Sequence, residues 1–472
     1  MMQAVVIHGL RHDARSTTIQ NVLAVSRHLS VDKILNVNVF GLVSSPIQAD
    51  VVIFTYDFLA LRTWPIWREL VRRIRPVVES ARIRIAMPQD DYSYCDILDQ
   101  FMCEWGITHV YSPITKDLNV LYPRATAKLL RFGEALTGYV DEAEFERVSR
   151  LARPFAQREI DVGQRVRLLS PHLGEQATTK GVWAIRFAEL AQESGFRCDV
   201  SSRTEDTFLG DDWYRFLGNT KFTVGAKGGA SLADPKGRLA DRVRRMRIRN
   251  PKIQDDEIRR RLKTYSGKEG DFSAISPRMF EAAAMGTCQI LRRDDYLEGF
   301  EPWKHYVPVD EISRIDDRIL AVMCDKDRAA EIVQSSQDFL IRSGNYTYQG
   351  FFERVAADVG LTTGKSPQVT DSSAELDDAI GINGEALPWL QSYLARAIAS
   401  RSLREAEGHL SSGRFLVLND SDKLRHSHIE ANRQSVLRWV ESIRSKQLIV
   451  ESVAIPWRSV TSYLRTHSPT TV

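Results

Sequence analysis

Glu281 is the residue whose surroundings most constrain its chemistry. It lies in Ser276-Pro277-Arg278-Met279-Phe280-Glu281-Ala282-Ala283-Ala284-Met285-Gly286, which reads as a short helix with its own boundaries. Serine favours the N-cap, proline the first turn, and glycine the residue just past the end. The amides at the start of such a helix can meet an anion, and Ser276 and Arg278 stand at that end. Glu281 falls among apolar neighbours, where a lone carboxylate is costly and needs donors. Two vicinal hydroxyls of a ribose are suitable donors. A salt bridge or a solvated helix face fits the sequence equally well at this point.

Other residues can serve an anionic ligand. Arg165-Val166-Arg167 ends a strand pattern and Lys180-Gly181 opens a helix pattern. Cations at a strand end and a helix start can clamp a diphosphate, and they also fit ordinary surface charge. Gly225-Ala226-Lys227-Gly228-Gly229-Ala230-Ser231 follows a strand, so Gly228, Gly229 and Ser231 can bring backbone amides close to a ligand, or can form a plain turn. Asp234 opens Asp234-Pro235-Lys236-Gly237, where it either faces a sugar or builds the turn. Gln89-Asp90-Asp91-Tyr92 follows another strand; Asp90 or Asp91 can act as general base on an acceptor hydroxyl, or cap a helix. His8 ends the first strand beside Gly9, with His12 nearby, in reach of acceptor or donor or simply buried.

These residues need elements to hold them. Residues 1–155 alternate strand and helix patterns: strands at Val5–Ile7, Ile34–Phe40, Val51–Thr55, Ile83–Ala86 and Thr108–Tyr111, with helices at Thr17–Leu29, Trp64–Glu79 and Ile97–Trp105. Alternation of this kind predicts a parallel sheet covered on both faces, with ligands bound beyond the carboxyl ends of the strands. A second unit over 156–360 repeats it: strands at Arg165–Leu169, Cys198–Val200, Phe222–Val224, Cys288–Leu291 and near Tyr306-Val307, with helices at Lys180–Gln192, Asp211–Leu217 and Pro277–Met285. Residues 361–385 read as a linker, with Thr, Gly, Ser and Pro concentrated over 362–373. Residues 386–472 read as a mainly helical region of unassigned role.

Composition excludes several classes. Across 472 residues the chain is 43% hydrophobic and 26% charged, with a formal net charge of +3, so each unit can bury a full core and no whole-protein attraction to nucleic acid or membrane is implied. The five cysteines are odd in number, widely spaced and without a CxxC pair, which argues against a disulfide framework and a structural zinc site. No stretch approaches the ~20 apolar residues of a membrane span. A reducing, cytoplasmic setting is expected. One segment stands apart: Arg238 to Lys263 holds eleven Lys/Arg against four acids. It fits a solvated helical insert, or peripheral contact with an anionic acceptor or the inner face of a membrane. Aromatic residues are absent within it, which leaves single-strand stacking unsupported, and no nucleic acid is expected as partner.

The helix around Glu281 followed by Thr287-Cys288-Gln289-Ile290-Leu291 resembles the donor-site signature of group 1 glycosyltransferases of the GT-B fold, and more narrowly the spore-maturation glycosyltransferase-like branch. Tyr296-Leu297-Glu298-Gly299-Phe300, His305-Tyr306-Val307-Pro308-Val309 and Asn345-Tyr346-Thr347-Tyr348 are similar to that branch, over about residues 160–358. The resemblance implies two Rossmann-like domains facing a cleft, an acceptor domain and then a donor domain. It implies transfer of a sugar from a nucleotide sugar to a hydroxyl of a glycan or other acceptor, in glycan or cell-surface polysaccharide synthesis. Glu281 would hold the donor ribose, an arginine and a lysine in the arrangement of Arg165, Arg167 and Lys180 the diphosphate, and the glycine-rich segment would lie against the donor. The glutamate that many relatives carry eight positions before Glu281 is Ser273 here. No metal-ligand spacing is present, so a metal-independent reaction is expected, with amides and basic side chains stabilising the nucleoside diphosphate as it leaves. No cofactor is expected, the nucleotide sugar being a substrate. A non-catalytic scaffold of the same fold is the alternative.

Overall fold

The computed structural model of the chain describes residues 2–10, 16–39, 47–64, 67–203, 205–262 and 268–361. His12, Lys263, the segment 362–385 and the helical region expected over 386–472 lie outside the described residues.

The first sheet is built from β1 (Gln3–His8), β2 (Lys33–Asn38), β3 (Val51–Phe54), β4 (Ile83–Ala86), β5 (His109–Ser112) and β6 (Arg131–Glu134), in the order β2-β1-β3-β4-β5-β6. Every pairing is parallel. Parallel strands are covered on both faces and therefore need unbroken apolar runs. Ala4 to Ile7 and Val51 to Phe54 meet that need, all fully buried. The crossovers carry α1 (Ser16–His28), α2 (Tyr56–Ala60), α3 (Trp67–Val78), α4 (Cys95–Glu104), the short α5 (Leu118–Leu121) and α6 (Pro123–Ala127), and then α7 (Glu142–Ser149). In α3 the buried residues Trp67, Leu70, Ile74, Val77 and Val78 recur at helical spacing.

The second sheet takes β7 (Ile160–Arg165), β8 (Cys198–Ser201), β9 (Thr220–Gly225), β12 (Cys288–Arg292) and β13 (Val307–Val309), ordered β13-β12-β9-β7-β8. Between β9 and β12, β10 (Gly228–Ala233) and β11 (Lys268–Ala274) form an antiparallel ribbon. The helices are α8 (Glu175–Glu193), α9 (Asp211–Gly218), α10 (Arg238–Arg249), α11 (Asp255–Leu262), α12 (Arg278–Ala284), α13 (Asp317–Cys324), α14 (Lys326–Gln337) and α15 (Tyr348–Asp358). Counting each sheet's own strands, both share the order second, first, third, fourth, fifth, a doubly wound topology whose switch point lies between the first and third strands. Two Rossmann-like sheets, as the GT-B class requires, are the architecture observed.

Several connections join the two halves, among them the following three. The ribbon and its turn reach the first half: Asp234 N donates to Tyr92 O at 2.8 Å, Tyr94 N to Asp234 O at 2.7 Å, and Asp271 N to Asp117 Oδ2 at 2.8 Å. Gly237, at φ 72°, is needed there, because a Cβ would lie 2.1 Å from the Tyr94 ring. A second join is Thr137 Oγ1 donating to Ile275 O at 2.6 Å, just before α12. The third is α15. It returns to the first sheet, where Phe351, Phe352 and Val355 share a core with Val6, Ile53 and Ile85. No helix among the described residues is long and apolar enough to cross a membrane.

Candidate functional site

The best-defined polar cluster surrounds α12. The helix starts at Arg278 after Pro277, and Gly286 follows its end at φ 61°, the left-handed conformation that glycine adopts without strain. Its apolar residues Met279, Phe280, Ala283 and Ala284 pack into the core beneath β12. That packing turns Glu281 inward, where it is 8% exposed. Trp213 of α9 donates Nε1 to Glu281 Oε2 at 2.8 Å. Burial raises the carboxyl above its ordinary range, against the Trp213 hydrogen bond and the charges of Arg278 and Lys180. The Arg278 guanidinium lies 5.2 Å from the centre of the Trp213 ring. Lys180, half-buried on α8, is pushed down to about 7 by burial and then by Arg278, with Glu281 acting the other way. Helix α8, which follows β7, and helix α12, which follows β11, thus bring one carboxylate and two cations within electrostatic reach of one another, with Trp213 of α9 bonded to the carboxylate. Such a group can accept from hydroxyls and compensate an oligophosphate.

Several expected residues have other tasks. Strand β7 ends at Arg165 and does not run through 165–169; α8 begins at Glu175, so Lys180 lies in its second turn and does not open it. Arg165 departs from the diphosphate role. It is 8% exposed, its guanidinium donates to Asp206 O at 2.8 Å and Asp199 O at 2.9 Å and pairs with the Asp199 carboxylate, and it stacks 4.3 Å from the Phe216 centroid. Arg167, just past the strand, is half-buried. The glycine-rich segment is a strand, not a ligand loop: Gly228 and Gly229 pair with Ala274 and Ser273. A Cβ on Gly229, at φ 104°, would meet Phe272 O at 2.1 Å, so close backbone pairing explains the glycine. Ser231 Oγ accepts from Gln176 N at 3.4 Å at the start of α8. Asp234 is 2% exposed and accepts from Ala240 N at 2.9 Å, capping α10 and not facing a sugar. Ser276 is not the N-cap of α12; Pro277 holds that position, and the Ser276 carbonyl accepts from Met279 N at 3.1 Å.

The acceptor-side candidates separate by burial. His8 is fully buried; its Nδ1 accepts from Leu10 N at 3.3 Å, its Nε2 has no partner among the described residues, and burial lowers its pKa to about 3. Asp91 is also fully buried. Ser112 Oγ at 2.6 Å and the Tyr122 hydroxyl both donate to its Oδ2, and burial raises its pKa. Neither can reach an acceptor without a local opening, which takes both out of the general-base role in this conformation. Asp90 remains exposed, at φ 51°, accepting from the Tyr92 hydroxyl at 2.6 Å. Arg62 fixes this turn from beneath, donating to Asp90 O at 2.8 Å and Ser93 O at 2.9 Å. Trp213 and Arg62 were not among the sequence candidates, and no local pattern around either marks them out.

No family model and no curated protein matches the chain. Among solved structures, Anabaena HepE in complex with UDP and glucose is similar over 77% of this chain and 100% of its own, at 10% identity and a TM-score of 0.40. Sucrose-phosphate synthase from Thermosynechococcus elongatus matches over 76% and 98%, at 9% identity and 0.38. AviGT4, a glycosyltransferase involved in avilamycin A biosynthesis, matches over 76% and 97%, at 11% identity and 0.37.

Proposed function

We propose that this chain is a glycosyltransferase that takes its sugar from a nucleoside diphosphate sugar and passes it to a hydroxyl acceptor, without a metal ion. The observation that carries this reading is the buried Glu281 carboxylate, bonded to Trp213 and electrostatically coupled to Lys180 and Arg278. Glu281 would accept from the donor ribose, and the two cations would face the diphosphate and stabilise it as the leaving group. The order of motifs from Ser276 to Tyr348 supports the spore-maturation-like branch, and glycan or cell-surface polysaccharide synthesis as the setting. Asp90 is the exposed carboxylate on the acceptor side. The test is calorimetry of the full chain with UDP, GDP, ADP and dTDP in the presence of chelator, followed by a nucleotide-sugar turnover screen. UDP is the first probe because HepE was solved with it. Binding of no nucleoside diphosphate at millimolar concentration would end the reading.

One second reading has an observation of its own. His8 and Asp91 are sealed, and Ser273 stands where many relatives carry a glutamate. A donor-binding scaffold without turnover fits those facts. Tight nucleotide binding with neither transfer nor hydrolysis of any sugar nucleotide would favour it.

Lys180 makes the donor reading pH-dependent. Its pKa is held near 7 in the free protein, and a bound diphosphate favours the ammonium form, so binding takes up a proton. Affinity for UDP is expected to be flat below pH ~6 and to fall by up to ~tenfold per unit as pH rises above ~7. Lys180→Arg, always charged, should flatten that profile. Calorimetry in buffers of different ionisation enthalpy measures the proton uptake directly. Zero uptake at pH 7–8 would remove Lys180 from the diphosphate site.

A further inference from the structure

The basic segment expected from sequence forms two helices, α10 and α11, joined around a small core of Leu239, Val243, Ile253, Ile258 and Leu262. That core decides which cations point outward. Arg244 pairs with Asp241 at 2.6 Å, Arg247 with Asp255 at 2.9 Å, and Arg259 with Asp256. These arginines close the insert on itself. Arg238, Arg245 and Arg249 are different: each is exposed, and among the described residues none has an acid partner. At 3.6 residues per turn, their spacing of seven and then four puts them on one side of α10, opposite Leu239 and Val243. Ile248, 58% exposed, flanks this row about 80° round the helix, and Lys252 is exposed just beyond the helix.

We propose that this face of α10 is a docking surface for an anionic lipid bilayer. Three guanidinium groups without an acid partner among the described residues supply attraction to a negative surface. The isoleucine selects a bilayer over a polyanionic chain: buried at the headgroup boundary it loses water, whereas against a nucleic-acid or glycan backbone it gains little. The segment from Arg238 to Leu262 contains no aromatic residue on which a base could stack. The face belongs to an insert joined to the second sheet through the ribbon. It shares no residue with the Glu281 cluster, so docking is independent of the donor reading.

The experiment is flotation of the full chain with vesicles of phosphatidylcholine containing 30 mol% (~30%) phosphatidylglycerol, against phosphatidylcholine alone. Binding is expected only to the anionic vesicles, weakening as salt rises because exposed charges are screened within ~8 Å at physiological ionic strength. Arg238→Ser/Arg245→Ser/Arg249→Ser should lower partitioning by roughly a hundredfold, at about a tenfold loss for every one to two cations removed. Ile248→Ser leaves the charge unchanged and should lower it by about tenfold, the transfer cost of a large aliphatic side chain. UDP affinity measured on the same variants should match the parent, which separates this proposal from the donor reading. No flotation, equal binding to neutral vesicles, or loss of flotation only with Arg244→Ser/Arg247→Ser would overturn it. So would a single-stranded oligonucleotide that binds more tightly than vesicles and is indifferent to Ile248→Ser.

Discussion

Glu281→Gln should weaken UDP binding by tenfold to a hundredfold while leaving the melting temperature nearly unchanged. The carboxylate is 8% exposed and accepts a hydrogen bond from Trp213 Nε1. A glutamine oxygen can still accept from Trp213, so the packing of Phe280 and α12 is retained. What the amide loses is charge, and hydrogen bonds to a charged group are worth about 1.5–3 kcal/mol, which at 1.4 kcal/mol per tenfold sets the expected range. Glu281→Ala differs in kind. It also strands the Trp213 N–H, at a further cost of about 1–3 kcal/mol in stability. The pair of variants therefore separates two roles that share one carboxylate. If Glu281→Gln binds UDP normally and Glu281→Ala only melts earlier, Glu281 is a structural acceptor for Trp213 and the ribose assignment fails. Calorimetry and thermal unfolding on both variants decide between them.

The Glu281 helix was legible because every determinant is local. Proline near its start, glycine just past its end, and an apolar run between them fix α12 to within a residue or two, and Gly286 adopts the positive φ expected of it. The same holds for β1, β3 and β4, whose apolar runs mark buried parallel strands. The glycine-rich segment failed for the opposite reason. Gly228 and Gly229 read as a loop because glycine is poor in strands, yet their partner is Ser273-Ala274, some 45 residues on. No window shorter than that separation contains the pairing. Arg165 failed in a similar way: the carbonyls and rings that hold it belong to Asp199, Asp206 and Phe216. A cation at a strand end looks the same in sequence whether it faces a phosphate or the back of the next strand. Burial also divided Asp90 from Asp91, adjacent residues whose exposure depends on Ser112 at the end of β5 and Tyr122 in the crossover after it. Helix and strand positions follow from neighbours in the chain; the duty of a polar side chain follows from neighbours in space.

Arg158 shows how far that principle extends, and its removal should be the most destabilising change near the site. It is 5% exposed, between β9 and the end of α12, and nothing in its sequence context marks it. Its Nε donates to Arg153 O at 3.0 Å, Nη1 to Thr220 O and Gly286 O at 2.8 Å each, and Nη2 to Met285 O at 2.7 Å. Met285 and Gly286 are the end of α12, where carbonyls lack helical partners and a cation complements the helix dipole. Burial lowers the guanidinium to about 10, so it stays charged throughout the neutral range. Arg158→Ala leaves four carbonyls short of a donor in a space too tight to hydrate freely. A loss of about 3–5 kcal/mol is expected, a large part of the 5–15 kcal/mol that typical domains possess. In thermal unfolding that is a drop of roughly 10 °C, at about 2–4 °C per kcal/mol for domains of this size. Arg158→Lys should recover only a minority of it, since a single ammonium cannot reproduce a planar fork that reaches both halves of the contact. The folded fraction of Arg158→Ala should still bind UDP within a few-fold of the parent, because Glu281 is held from the other side by Trp213. If UDP affinity falls with stability in step, the end of α12 governs the carboxylate's position, and the donor site is a property of the whole helix. A melting temperature unchanged by Arg158→Ala would instead contradict the hydrogen-bond arrangement that joins β9 to the end of α12.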